Sequence, residues 1–358
     1  MTAALIDRLR LLRTRGVGPV TWRQLLARFG SADAAIEALP QLAQRGGGAP
    51  PRIVDRAEAE REVAAVERLG ARHLFGDEPG YPPLLAELDN APAALIVRGD
   101  IALARRAAVA VVGARNASAA ACRFARQLGH DLAGEVAVVS GLARGIDTAA
   151  HVGSLSGGTI AVIAGGIDVA FPPENAALQE RIAAEGLLIA EMPPGTEPRA
   201  RHFPYRNRII AGLAAGTVVV EAAPRSGSLI TARLAAEAGR EVMAVPGSPL
   251  DPRAQGCNLL IRDGATLIQT AADVLEQIRP IDPRAVRSPA LPFDAGSVED
   301  ASDVERRRIV DLLGPVPTPV DELLRQSTLS PAIVQTVLLE LELAGRLERH
   351  AGGRVSLR

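Results

Sequence analysis

The stretch Pro198 to Arg208, PRARHFPYRNR, sets four arginines, a histidine and two aromatic rings side by side without an acid. Guanidinium groups neutralise backbone phosphate and stack on rings, while a Phe or Tyr face accepts an unpaired base. The composition therefore suits single-stranded nucleic acid better than duplex, whose base faces are covered. Arg199, Arg201, His202, Phe203, Arg206, Asn207 and Arg208 are the candidate contacts; a merely solvated basic loop is the plainer alternative. A helical run, RIIAGLAAG, follows and places Arg206 and Arg208 in its first turn. Cations there oppose the macrodipole and call for a nearby anion.

Three other segments repeat one device, a turn of small residues opening a helix. Gly113-Ala114-Arg115-Asn116-Ala117-Ser118 offers Gly113 and Arg115. The run from Ser140 to Asp147 offers Ser140, Gly141, Arg144 and Gly145, and a third turn offers Ser226, Gly227 and Ser228. Backbone amides at a helix start and a guanidinium both suit phosphate, and three such starts along one crevice would hold successive phosphates of a chain. Taken singly, each is also what ordinary helix caps and turns look like. The first is not G-x-G-x-x-G, and no acid ends the second strand to hold a ribose, so the pattern does not favour a dinucleotide.

These turns must hang on a scaffold, and the sequence supplies one. From residue 107 to 269, short Val/Ile-rich runs alternate with longer Ala/Glu/Arg-rich ones: AVAVVGA, VAVVSGL, TIAVIAGG, LLIAEM, TVVVEAA, EVMAVPG and ATLIQ. Continuously apolar runs separated by helix-length segments predict seven strands of a doubly wound, mostly parallel sheet covered on both faces. In such folds the ligand crevice lies beyond the carboxyl ends of the strands, where the glycine turns and arginines fall. Residues 1–75 read as a small separate helical domain, 76–279 as the sheet domain, the proline-rich 280–302 as a linker, and 303–358 as helix, helix, helix, hairpin: a winged helix. The helix in its recognition position, Ser330 to Gly345, carries Glu340 and Glu342 but no arginine, so phosphate would repel it. Residues 303–358 therefore read as a protein-interaction or regulatory module, dispensable for single-strand affinity.

Composition removes several chemistries. The 358 residues include 40 basic ones, all arginine, so no P-loop lysine, Schiff base or Tyr/Lys dehydrogenase pair exists. A net charge of −1 gives no global attraction for polyanions, which leaves the local patch to do the work. Cys122 and Cys257 form no disulfide framework and no metal-ligand spacing, so no metal and no cofactor are expected, and a reducing cytoplasm fits. The opening segment is interrupted by charge and no run approaches 18 apolar residues, which argues against a signal peptide or membrane span. Glu191, Glu221, Asp147 and Asp168, with Glu174 or His151, would be the acid/base candidates of a hydrolase; near a basic crevice they read better as orienting groups.

The motifs GAR (113–115), SGLARGIDTAAH (140–151), TIAVIAGGID (159–168), FPPEN (171–175), EMPPGTEP (191–198), FPYRNRIIAGL (203–213), VVVEAAPRSGSLITA (218–232), AVPG (244–247) and GCNLLIRDGA (256–265) together resemble the DNA-processing protein A family, DprA or Smf. The resemblance covers about half the chain. It implies an extended Rossmann-like domain that binds single-stranded DNA, forms a homodimer and hands strands to the RecA recombinase during natural transformation, without catalysis. It also implies a SAM-like or helix-hairpin-helix N-terminal domain. Gly113 and Arg115 match the family's Gly-Ser-Arg triplet, with Ala114 replacing the serine but keeping its amide. Phe203, Arg206 and Asn207 match its basic-aromatic stretch; Arg199, Arg201 and His202 are alternatives for a lysine that some relatives carry before the Phe-Pro pair. The competing resemblance is to lysine-decarboxylase-like nucleotide phosphoribohydrolases, whose P-G-G-x-G-T-x-x-E glutamate is missing from EAAPRSGSLITA.

Overall fold

A computed structural model describes residues 3–278, 300–350 and 352–358. The expected linker lies outside the described residues except for 300–302. The chain divides into two compact units. One contains residues 62–278; the other combines residues 3–61 with the described residues from 300 onward.

The sheet unit alternates strands and helices: β1 Arg72–Phe75, α5 Pro83–Ala86, β2 Ala94–Gly99, β3 Ala108–Val112, α6 Ala119–Ala133, β4 Ala137–Ser140, α7 Ile146–Ser154, β5 Thr159–Gly166, α8 Ala176–Glu185 and β6 Leu187–Met192. It continues with α9 His202–Leu213, β7 Gly216–Val219, α10 Ser228–Glu237, β8 Glu241–Ala244, α11 Gln255–Arg262, β9 Thr266–Leu267 and α12 Ala271–Ile278. The nine strands order as β1-β2-β6-β5-β4-β3-β7-β8-β9. From β6 to β9 every pairing is parallel; β2 pairs antiparallel with β6, and β1 antiparallel with β2.

The seven expected strands are β3 to β9, and their unbroken apolar character has a direct cause. Along β3, Ala108, Ala110 and Val112 enter one core cluster while Val109 and Val111 enter another, so helices cover both faces. The sequence reading missed β1 and β2. Residues 72–75, assigned there to the helical domain, pair with the sheet instead.

Parallel strands bring all their carboxyl ends to one edge, and β3 sits between β4 and β7, where successive connections diverge. That is the topological switch point of a doubly wound sheet. The turns after β3, β4 and β7 therefore meet there by construction.

The second unit holds α1 Ala3–Arg13, α2 Pro19–Phe29, α3 Ala32–Arg45 and α4 Arg56–Arg68 (which runs on into the sheet unit), then α13 Asp303–Leu312, β10 Thr318–Pro319, α14 Val320–Ser327, α15 Pro331–Leu343, β11 Leu347–His350 and β12 Arg354–Leu357. The last group is a winged helix: three helices on a small antiparallel sheet. Its α13 starts with a capping box between Ser302 and Glu305.

Candidate nucleic-acid interface

The turn after β3 is fixed from beneath. The Ala114 amide donates to the Glu221 carbonyl at 2.6 Å, and the Glu221 carboxylate accepts from the Ser118 amide at 2.9 Å and the Ser118 hydroxyl at 2.7 Å. The Ser118 hydroxyl in turn caps α6 by accepting from the Ala121 amide. Glu221 thus holds the first helix start in place. The Ala114 amide, expected to face a phosphate, is spent on this bond.

The turn after β4 is locked more tightly. Leu142 takes a left-handed φ of 54°, and its carbonyl accepts from Asn175 Nδ2 at 2.9 Å. Asp147 accepts from the Gly141 and Ala143 amides at 3.2 and 3.4 Å, and the Thr148 hydroxyl donates to the Ala143 carbonyl at 2.7 Å. Such a backbone persists only where surrounding bonds over-determine it. Gly145 has φ 76°, and a Cβ on it would stand 2.3 Å from the Ala114 carbonyl oxygen. Only glycine lets the two turns touch.

Arg206 lies under this pair of turns. It is buried, donates from Nη1 to the Val162 carbonyl at 3.1 Å, and faces Asp147 across the space a Gly141 Cβ would fill. Burial, partly countered by Asp147, lowers the Arg206 pKa to about 10, so the group stays cationic at neutral pH. Burial likewise raises the Asp147 carboxyl, against the pull of Arg206 and the two amides. Arg208 is also buried and donates to Glu191 Oε1 at 2.6 Å.

These positions correct several expectations. Helix α9 begins at His202, four residues before Arg206, because Pro204 is tolerated in a first turn. Arg206 and Arg208 consequently lie in the second turn, with Asp147 and Glu191 as their nearby internal anions, while Arg206 Nε and Arg208 Nη1 are buried without a hydrogen-bond partner. Ser140 is fully buried and donates to the Val111 carbonyl at 2.6 Å, and the Gly141 amide is taken by Asp147, so neither faces solvent. His202 is buried as well, its Nδ1 3.3 Å from the Arg199 amide; burial and the neighbouring Arg201 and Arg199 hold its pKa down. Arg144 is exposed but paired with Glu174.

What remains on the surface is a coherent group. Arg115 is exposed and its guanidinium lies 5.1 Å from the Phe203 ring centre; Phe171, 44% exposed, tilts against Phe203 with 5.7 Å between centres. Arg206 supports Phe203 from the buried side at 5.8 Å. Arg199, Arg201 and Tyr205 are exposed nearby in sequence, and Asn207 is half-buried. Gly113 is half-buried; a Cβ there would meet Ile146 at 2.6 Å. At the third turn Gly227 is exposed, and the Ser226 and Ser228 hydroxyls bond to each other at 2.7 Å. Phe171 and Tyr205 were absent from the candidate contacts. The motif FPPEN carries the first, but a ring's exposure cannot be read from its neighbours in sequence.

The carboxylates considered for hydrolysis are all engaged: Glu191 with Arg208, Glu221 with Ser118, Asp147 with Arg206 and two amides, Glu174 with Arg144, and Asp168 with the Gly195 amide at 2.8 Å. Among the described residues, no group of three His, Cys, Asp or Glu side chains has metal-holding geometry. No described helix is long and apolar enough to cross a membrane.

Family comparisons agree with this geometry. The family described as DNA recombination-mediator protein A matches residues 72–279, flanked by a DprA-like N-terminal HHH domain at 2–65 and a DprA winged helix domain at 294–353. The chain belongs to the DprA/Smf family. It is 47% identical over 199 residues to DNA processing protein DprA of Streptococcus pneumoniae, covering 55% of this chain and 71% of that protein. It is 37% identical over 307 residues to protein Smf of Escherichia coli, covering 85% and 82%. The X-ray structure of Streptococcus pneumoniae DprA superposes with a TM-score of 0.66 at 35% identity, over 78% of this chain and 99% of that one. DprA of Helicobacter pylori, whose structure is described by its single-stranded DNA binding mode, gives 0.53 at 27% identity, over 57% and 94%.

Proposed function

We propose that this DprA/Smf chain binds single-stranded DNA without base-edge readout, in DNA processing during natural transformation. The observation that carries the reading is the Phe171–Phe203–Arg115 cluster at the switch point, in which Phe171 and Arg115 are exposed and Phe203 is half-buried between them. It offers ring faces for unpaired bases beside a cation for phosphate. The contacting residues we assign are Arg115, Phe171, Phe203, Arg199, Arg201 and Tyr205, with the Gly113 and Ser226–Ser228 turns along the same edge. Arg206, Asp147, Glu221 and Asn175 position them. The description of the Helicobacter pylori relative supports the ligand class. Titrating labelled single strands and blunt duplex at several salt concentrations tests it; equal affinity for the two would overturn it.

The finer parts of the proposal rest on the family resemblance: transfer of the strand to RecA, a homodimer, action in the cytoplasm, and no catalysis. Light scattering at micromolar concentration should report a dimer; a monomer alone would count against it. The engagement of every candidate carboxylate favours binding over hydrolysis. Turnover of a purine monophosphate that Glu221→Gln abolishes would move the chain to the phosphoribohydrolase class.

A further inference from the structure

The winged helix keeps its recognition helix out of solvent. Helix α15 is apolar almost all round, the pattern of a helix buried on both sides. One face, Ile333, Val334, Val337, Leu338 and Leu341, packs with Ile309, Leu323, Leu347 and Val355 in the winged-helix core. The stripe Thr336, Leu339 and Leu343, at i, i+3 and i+7, lies outside that core and is buried too.

What covers that second stripe is the N-terminal part of the same chain. Arg28 Nη1 donates to the Thr336 hydroxyl at 3.1 Å, and Gln24 Nε2 to Gln335 Oε1 at 2.8 Å. The glycine run after α3 seats on the end of α15. A Cβ on Gly46 would lie 2.0 Å from the Glu340 carbonyl oxygen, and one on Gly48 would lie 2.5 Å from the Ala344 Cα.

Arginines of the winged helix are committed here as well. Arg346 Nη1 donates to the Gly46 carbonyl at 3.1 Å, and Arg349 pairs with Glu342 at 2.8 Å. Arg306 forks onto the buried Glu340 carboxylate at 2.8 and 3.0 Å. Asp300 joins Arg45 of α3, at 2.8 Å, to Arg306 of α13, at 3.5 Å.

We propose that the recognition face of the winged helix is a docking surface for the chain's own N-terminal helices. Residues 3–61 and 300–358 are then two halves of one domain, with the sheet unit inserted between them. The winged helix acts as a clasp, and α15 is closed to a major groove.

The test uses the full chain with a site-specific protease sequence placed between residues 283 and 297. After complete cleavage, the C-terminal fragment should co-elute one-to-one with the remainder in gel filtration with light scattering at micromolar concentration. Release of the fragment from the parent protein would overturn the proposal, because docking would then depend on the covalent tether. If two differently labelled copies are mixed before cleavage and one copy's fragment is recovered on the other's remainder immediately after it, that would also overturn the proposal, in favour of docking between copies.

Gly46→Leu supplies the converse. Gly46 has an ordinary right-handed backbone, φ −72° and ψ −2°, so the side chain strains only the docking. It should release the cleaved fragment; retention as tight as in the parent would refute the assigned contact. Should that variant lose helical circular dichroism, Thr336→Arg, which sets a second guanidinium against Arg28, carries the same expectation from the other half.

Discussion

Arg115 and Arg206 both touch Phe203, yet the structure gives them opposite salt signatures. Arg115 is exposed, and replacing it with Gln removes one phosphate neutralisation. For single strands each such contact contributes about 0.7 to the slope of log affinity against log salt. At 0.15 M salt that corresponds to roughly a fourfold loss, about 0.8 kcal/mol, and over a tenfold rise in salt the parent-to-variant ratio should shrink about fivefold. Arg206 is buried, facing Asp147. Arg206→Met should weaken binding by a factor that is the same at every salt concentration, because the Phe203 ring and the Gly141 turn lose their support while the phosphate count is unchanged. It should also destabilise the sheet unit by about 3–5 kcal/mol, the cost of leaving a buried carboxylate without its cation. For a unit of this size that is on the order of 10 °C in Tm. Asp147 already has a raised pKa, and a carboxyl raised in the folded state favours folding when protonated, so the deficit should shrink on acidification. Anisotropy titrations from 0.05 to 0.5 M salt, paired with thermal unfolding at two pH values, read all of this. A flattened slope for Arg206→Met with an unchanged Tm would refute the assignment of a supporting role.

Phe171→Ala should weaken single-strand binding by about 1–3 kcal/mol, the worth of one stacked base, with the salt slope unchanged; an unchanged affinity would remove Phe171 from the interface. His151 is fully buried beside Thr159, and burial lowers its pKa to about 3. The unfolded chain therefore binds more protons between pH 6.5 and 3, and stability should drop as the pH is lowered through that window by up to about 1.4 kcal/mol per unit, a slope that His151→Gln should reduce in denaturant unfolding. The Cys257 thiol is buried, donates to the Val219 carbonyl and is pushed up to about 11, so at pH 8 it should resist alkylation until the protein unfolds. Truncation after Pro280 should leave single-strand affinity within a factor of a few, since the assigned contacts all lie before it, while loosening α2 and α3, whose packing partner it removes; a loss of most binding would place a contact in the winged helix.

The parallel strands were legible because both faces of the sheet are covered, which writes an unbroken apolar run for each of them. Strand β1 was not, since Arg72 and His73 begin a run of only four residues directly after a helix. The glycine turns were legible for the same reason that they are glycines: at Gly145 the backbones of two turns approach too closely for a Cβ. What one dimension hides is which arginine is inside. Arg199, Arg201, Arg206 and Arg208 look alike as a basic run, and the run invites a solvated reading. The discriminating signal was nonetheless there, in the helical period. With α9 starting at His202, residues 202, 206, 209, 210 and 213 share one face, and all five are buried. Arg206 therefore falls on an apolar stripe, where a cation requires a fixed internal anion, and Asp147 in the preceding motif is that anion. The charge patch divides accordingly. Two of its arginines lie inside the platform, and the exposed ones, with Arg115, are those we propose for phosphate.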